Sequence, residues 1–146
     1  MDTMKRIPTH VEGLDEKMQG GIPKGHICIV AGASGAMKSS VTFSVLYNAV
    51  LYGETSGIYV TLEQGKDSLR AHMSNMGMNV DDVRVRNRIA IIDLADLRVQ
   101  LDQQGMNNRI DWMGQLIKQL TSYRESIGFE LLVFDSLGAF FTLTKM

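Results

Sequence analysis

Short apolar runs alternate along the chain with longer amphipathic ones, and this alternation predicts a parallel sheet flanked by helices. The predicted strands are rich in isoleucine, leucine and valine and comprise His26–Ala31, Gly57–Leu62, Ile89–Ile92 and Glu130–Asp135. The first, third and fourth of these are apolar almost throughout, which is typical of strands that are covered on both faces. The pattern therefore predicts an α/β fold, with a mainly parallel sheet and helices on both faces.

Between these strands the sequence has amphipathic segments with the periodicity of helices. The predicted helices are Lys38–Tyr52, Lys66–Met76 and Asp111–Ile127. Gly128 follows the last of them directly and is a natural stop signal. The stretch from Asp93 to Asn108 is less regular, because its leucines are spaced for a short helix whereas Gly105–Asn108 has the composition of a loop.

Composition and charge narrow the class of protein. Of 146 residues, 45% are hydrophobic and 21% are charged, with 15 basic against 16 acidic residues, so we expect one globular domain over residues 1–146. No apolar run approaches the ~20 residues of a membrane span, and Met1–Lys5 lacks the apolar core of a secretory signal. We therefore expect a cytoplasmic protein without a membrane partner. The balanced charge does not indicate nucleic-acid binding, although a local basic patch remains possible.

The chain contains a single cysteine, Cys28. A lone cysteine excludes an internal disulfide framework and a multi-cysteine zinc site. Because Cys28 alternates within the first predicted strand, we expect it to be a small core residue.

A glycine-containing loop follows the first predicted strand and leads directly into the first predicted helix, which is the order of elements in a P-loop. In such a loop, successive backbone N–H groups and the positive end of the helix point at a polyphosphate. The candidate nucleotide-binding residues are consecutive: Gly32, Ala33, Ser34, Gly35, Ala36, Met37, Lys38, Ser39 and Ser40. Lys38 is expected to reach the outer phosphates and the Ser39 hydroxyl to ligate Mg²⁺. The alternative is an ordinary strand-to-helix turn that happens to carry Lys-Ser.

Met37 stands where the full P-loop pattern has glycine. Glycine allows the backbone to approach phosphate closely and to adopt a positive φ. We predict that Met37 still contributes its N–H to the phosphate while its side chain turns away. This requires either that its φ remains negative or that the strain of a positive φ is compensated.

Two carboxylates stand at the ends of predicted strands, where parallel sheets bind ligands. Glu63 follows the second strand and is a candidate to accept a proton from a water that attacks the terminal phosphate. Asp135 ends a strand of four apolar residues, as the Walker B aspartate does, and is a candidate to hold Mg²⁺. Taken alone, Glu63 is equally well explained as an acidic residue before a helix, and Asp135 is better explained as a turn residue.

Taken together, these segments resemble the KaiC-type ATPases of the RecA superfamily, which are close to the RadA-like recombinases. The resemblance covers essentially the whole chain, and its most specific part is the lead-in segment, residues 1–25, before the P-loop strand. The segments that carry it are Arg6–Thr9, Glu12–Glu16, Gly20–His26, Tyr59–Glu63, Leu69–Gly77 and Leu132–Leu137.

The resemblance implies a three-layer RecA-like fold that binds ATP and Mg²⁺ and acts in a homo-oligomer, either a ring or a filament. It implies a catalytic role for Glu63, and a second glutamate is common where this chain has Gln64. It also implies further strands after the Walker B strand, one of which inserts between that strand and the P-loop strand. We therefore expect a truncated domain in which two central strands have unpaired edges.

The leading functional hypothesis is a slow, Mg²⁺-dependent ATPase. A second hypothesis is a regulatory or scaffold subunit that binds nucleotide without turnover, which Met37 and Gln64 would permit. A third is a P-loop kinase of small molecules, which predicts an arginine-rich lid after the Walker B strand.

Overall fold

The computed structural model describes residues 3–103 and 111–144. Helices and short strands alternate along these residues, as the hydrophobic pattern predicts. In chain order the elements are β1 (Arg6–Ile7), α1 (Leu14–Lys17), β2 (Ile22–Pro23), α2 (Lys38–Tyr52), β3 (Gly57–Thr61), α3 (Lys66–Asn75), β4 (Ile89–Asp93), α4 (Leu94–Gln103), α5 (Trp112–Ser126), β5 (Leu131–Asp135) and α6 (Leu137–Thr144).

The main sheet has three parallel strands in the order β4-β3-β5. In the central strand β3, Gly57 is in register with Ile89 of β4 and with Leu131 of β5. The same register places Thr61, the last residue of β3, beside Asp135, the last residue of β5. The carboxyl ends of these two strands therefore lie side by side, and this is the edge of the sheet where ligands bind in such folds.

Side chains of β3 alternate between two apolar cores, one on each face of the sheet. Tyr59 faces a cluster built with residues of α2 and α3, whereas Ile58 and Val60 face a cluster built with residues of α4, α5 and α6. Helices thus cover both faces of the sheet. The predicted three-layer α/β fold is confirmed.

The predicted helices agree closely with the structure. Helix α2 has the predicted bounds, α3 ends one residue earlier at Asn75, and α5 lies within the predicted segment with Asp111 as its N-cap. The short helix predicted after Asp93 is α4, whereas the predicted loop Gly105–Asn108 lies outside the described residues. Helix α6, which follows β5 immediately, was not predicted.

The predicted strand His26–Ala31 is not observed as a strand. Its apolar side chains face solvent, with Ile27 94% and Ile29 73% exposed, and Cys28 is exposed rather than buried in a core. An apolar segment forms a strand only where a neighbour accepts and donates its backbone hydrogen bonds. None of the strands in the described part of the chain pairs with this segment.

The last predicted strand is less deeply buried than its apolar sequence predicts. Strand β5 pairs with β3 on one side, and Leu132, its second residue, is 41% exposed. Among the described strands β5 is therefore an edge strand, which agrees with the expected unpaired edge. The reason is again the lack of a neighbour on its outer side within the described ranges.

The lead-in segment forms its own small unit, in which β1 and β2 pair antiparallel. Asp15 of α1 closes the intervening loop, since its carboxylate accepts hydrogen bonds from the Thr9 N–H and hydroxyl and from the His10 N–H. Within the described ranges, no helix is both long and apolar enough to cross a membrane.

Candidate functional site

The loop before α2 contains two residues with a positive φ. Gly35 has φ 79°, and Met37, the N-cap residue of α2, has φ 60° and ψ 29°. Met37 therefore takes the left-handed conformation that glycine favours, which is the second of the two alternatives left open by the sequence. Met37 is 60% exposed, so most of its side chain faces solvent.

The first turn of α2 presents N–H groups without partners in the helix. The first intrahelical bond runs from the Val41 N–H to the Met37 carbonyl, and the N-cap side chain forms no cap hydrogen bond. The N–H groups of Lys38, Ser39 and Ser40 thus carry the positive end of the helix dipole. The first turn also has no acidic side chain, so the helix start is suited to an anion.

Lys38 and Ser40 differ in what their side chains do. The Lys38 ammonium donates to the carbonyls of Gly32, at 3.0 Å, and Ala33, at 2.8 Å, and therefore lies over the loop. The Ser40 hydroxyl is instead buried and points at the Met76 sulfur, 3.6 Å away. Only the backbone of Ser40 is available to the predicted phosphate site.

The carboxylate of Asp135 connects the end of β5 to the start of α2. Its Oδ2 accepts hydrogen bonds from the Ser39 hydroxyl and from the Tyr59 hydroxyl, each at 2.6 Å. Burial raises the pKa of the Tyr59 phenol, and the hydrogen bond to Asp135 raises it further. The phenol therefore stays protonated and remains a donor throughout the physiological pH range.

Glu63 lies at the same edge, immediately beyond β3. Its Oε1 accepts a hydrogen bond from the Ser136 hydroxyl at 3.2 Å, and the neighbouring Leu62 N–H donates to the Asp135 carbonyl at 2.9 Å. Glu63 itself is exposed. The structure thus brings the predicted catalytic acid beside the predicted metal-binding end of β5.

The donor set at this edge fits Mg²⁺. The Ser39 hydroxyl and the Asp135 carboxylate are hard oxygen donors in direct contact, and Mg²⁺ is usually bound by one or two such groups together with phosphate oxygens and water. A group of three or more histidine, cysteine, aspartate or glutamate side chains that could hold a metal does not occur in the part of the chain that the structure describes. A cation here would take its remaining ligands from phosphate and water.

Sequence reasoning assigned no role to Tyr59, Ser136 or Asp93. The signal for Tyr59 was its position two residues before Thr61. Alternate residues of a strand lie on one face, so Tyr59 shares the face of Thr61, the residue that is in register with Asp135. Asp93 accepts from the Lys66 N–H at 2.6 Å and from the Asp96 N–H at 2.8 Å, so one carboxylate caps both α3 and α4. A carboxylate that ends a strand just before a helix is the available signal for such a cap.

A cleft of about 320 Å³ lies away from this site, along the outer edge of β4. It is bordered by Lys66 and Arg70 of α3, by Arg86, and by Tyr123 of α5. None of the predicted site residues lines it. The chemistry predicted from the sequence therefore gathers on an open edge of the sheet rather than in this cleft.

The chain was compared with protein families, curated proteins and solved structures. A family profile described as "ATPase: KaiC" matches residues 7–146. A UPF0273 protein of Saccharolobus solfataricus is 31% identical, over 97% of this chain and 51% of its own length. The circadian clock oscillator protein KaiC of Parasynechococcus marenigrum is 25% identical, over 97% of this chain and 28% of its own length. This chain thus spans about half or less of these relatives.

A crystal structure with a similar fold is that of a KaiC-like protein from Pyrococcus horikoshii. It superposes with a TM-score of 0.75 at 23% sequence identity, over 94% of this chain and 56% of that one. Its agreement with the three-layer architecture supports the fold, while the family match extends over nearly all of the sequence. The chain therefore belongs to the KaiC family of ATPases, within the RecA superfamily.

Proposed function

We propose that this chain binds ATP with Mg²⁺ at the start of α2 and hydrolyses it slowly. The observation that carries the proposal is the 2.6 Å hydrogen bond between the Ser39 hydroxyl and Asp135 Oδ2, which joins residues 96 positions apart. An ordinary strand-to-helix turn does not require its serine to contact the carboxylate at the end of another strand. A site for a phosphate-bound cation requires both oxygens in one place.

Each site residue then has a definite task. The N–H groups at the start of α2 hold the phosphates, and the Lys38 ammonium exchanges its contacts with the loop carbonyls for the outer phosphates. Ser39 and Asp135 hold Mg²⁺, which neutralises charge on the transferred phosphoryl group. Glu63, oriented by Ser136, accepts the proton of the attacking water.

We further propose that the protein acts as a homo-oligomer, in a ring or a filament. The predicted site residues include one basic side chain, Lys38. The transition state of phosphoryl transfer spreads negative charge over several oxygens and is commonly stabilised by a second cation. A neighbouring subunit that contributes a basic residue would complete the site.

The alternative proposal is a regulatory or scaffold subunit that binds nucleotide without turnover. It is favoured by the position of Gln64, whose side-chain amide donates to the Ser68 hydroxyl at 2.8 Å. This side chain is therefore engaged with α3 and does not support Glu63. Under this alternative the binding residues keep their tasks, and Glu63 has no catalytic role.

Equilibrium ATP titration and phosphate release together test whether the chain binds nucleotide at this site and whether it hydrolyses it. Lys38→Ala should weaken Mg²⁺-ATP binding roughly 10- to 100-fold, since a charge-assisted hydrogen bond contributes about 1.5–3 kcal/mol. Lys66→Ala is the matched control, because Lys66 is likewise the first residue of its helix, α3. Glu63→Gln should retain binding and lose about 10²- to 10⁴-fold in hydrolysis rate. Binding with equal, background rates in all variants would leave the non-hydrolysing alternative, and equal binding by Lys38→Ala would refute the site.

A further inference from the structure

We propose that Tyr59 is a positioning residue for Mg²⁺: its phenol holds the Asp135 carboxylate in the orientation that the cation requires. This inference rests on the proposed nucleotide site and adds a residue to it that lies on neither the loop nor the ends of the strands. Tyr59 is in the middle of β3 and is completely buried.

Both hydroxyl donors meet the same oxygen of Asp135. The Ser39 and Tyr59 hydroxyls each lie 2.6 Å from Oδ2, while Oδ1 receives no hydrogen bond from the residues that the structure describes. Two donors from different elements fix the plane of a carboxylate more firmly than one. Because both donors bind Oδ2, Oδ1 is the oxygen left for a hydrated cation.

The Tyr59 hydroxyl is held rigidly by the packing of its ring. Tyr59 is in register with Val133, which lies two residues before Asp135. The side chains of all three residues therefore point to the same face of the sheet, the one that α2 covers. The ring packs against Phe43 of α2 with a centroid distance of 5.3 Å. The phenol therefore reaches diagonally along the neighbouring strand to Asp135, and it cannot swing away without opening the core.

A hydrogen bond that orients a metal ligand contributes to metal affinity. Groups that orient such ligands typically contribute about 10- to 100-fold to metal affinity. Tyr59→Phe keeps the ring and its packing and removes only the donor. If the phenol merely satisfied a buried polar group, its removal would lower stability and leave the dependence on Mg²⁺ unchanged.

The test is a Mg²⁺ titration of nucleotide binding, with N-methylanthraniloyl-ATP as the fluorescent probe. For Tyr59→Phe we expect the Mg²⁺ concentration at half-maximal binding to rise about tenfold, while binding in EDTA stays as in the wild type. Tyr47→Phe is the matched control: Tyr47 belongs to the same core cluster, and its hydroxyl donates to the Asn79 carbonyl, away from Asp135. It should leave the Mg²⁺ midpoint unchanged.

Thermal unfolding of all three proteins separates positioning from packing. An unchanged Mg²⁺ midpoint in Tyr59→Phe, with or without a lower melting temperature, would overturn the role of Tyr59 and leave the proposed site intact. An equal loss of binding with Mg²⁺ and in EDTA would overturn it as well, because the phenol would then act through the loop. Wild-type protein that fails to bind the probe at any Mg²⁺ concentration would refute the proposed function itself, and this inference with it.

Discussion

The Ser136 hydroxyl donates a hydrogen bond to Glu63 Oε1 at 3.2 Å and so links the residues that follow β5 and β3. The same hydroxyl also accepts from the Ala139 N–H at 3.3 Å, as the N-cap of α6 does. One serine therefore orients the proposed catalytic acid and starts the last described helix. Its two tasks are separable by experiment, since one affects turnover and the other stability.

Ser136→Ala should lower the rate of ATP hydrolysis about tenfold, because a hydrogen bond to a charged carboxylate contributes about 1.5 kcal/mol at the lower end of its range. It should also lower the free energy of unfolding by about 0.5–2 kcal/mol through loss of the cap. Ser136→Thr keeps the hydroxyl and should restore both. Phosphate release and urea unfolding measure the two effects, and an unchanged rate in the alanine variant would show that Glu63 needs no orientation by Ser136.

Met37→Gly should raise the affinity for Mg²⁺-ATP by up to about tenfold, which corresponds to ~1.4 kcal/mol. Met37 has φ 60°, and the left-handed conformation costs a non-glycine residue roughly 1–2 kcal/mol. Because its side chain is 60% exposed, its removal leaves no cavity.

Gly35→Ala is the opposite change two residues earlier and should weaken binding. Gly35 has φ 79°, and a Cβ added there meets nothing within 4 Å, so the cost is conformational alone. Nucleotide titration of both variants is the measurement. Unchanged or weaker binding by Met37→Gly would show that this loop is adapted to methionine or does not hold phosphate.

Asp93→Ala should destabilise the protein more than removal of an ordinary cap. The Asp93 carboxylate caps α3 and α4 together, so we expect a loss of about 1–4 kcal/mol from two caps at about 0.5–2 kcal/mol each. Asp111→Ala is the single-cap comparison, since among the described residues the Asp111 carboxylate accepts one hydrogen bond, from the Gly114 N–H at the start of α5. Urea unfolding should rank Asp93→Ala below Asp111→Ala in stability, and the reverse order would contradict the shared cap.

Asp15 should make the lead-in segment sensitive to acid. Burial acts to raise the pKa of its carboxyl, but hydrogen bonds from Thr9 and His10 outweigh that effect and lower the pKa below its usual value. A lowered pKa means that the carboxylate stabilises the folded state above the unfolded pKa, and that this stabilisation is lost as pH falls through the folded pKa.

The stability difference between wild type and Asp15→Asn should therefore be largest near pH 7 and should shrink below about pH 4. Unfolding free energies measured across this range test the expectation. Glu16→Gln serves as the control, because Glu16 is the next residue in α1 and takes no part in the hydrogen bonds to Thr9 and His10. A difference that is constant with pH would contradict the role of the charge.

The sequence by itself determined most of the longer helices, the strands of the main sheet and the identity of the chemical groups. Helix α2 begins at Lys38 and ends at Tyr52 as predicted, and β3, β4 and β5 match their predicted strands to within one residue. Hydrophobic periodicity encodes which face of each element is buried, and it is local, so it can be recognised without the fold. The Lys-Ser pair and the two carboxylates were visible for the same reason.

The tertiary structure alone decided which of these groups meet. Periodicity does not say which strands are neighbours, and only the order β4-β3-β5 brings Asp135 to Ser39 and Tyr59. It also decided against the strand predicted at His26–Ala31, because an apolar sequence becomes a strand only when a partner completes its hydrogen bonds. The tertiary structure also decided the backbone of Met37, which is left-handed against the preference of a residue with a side chain.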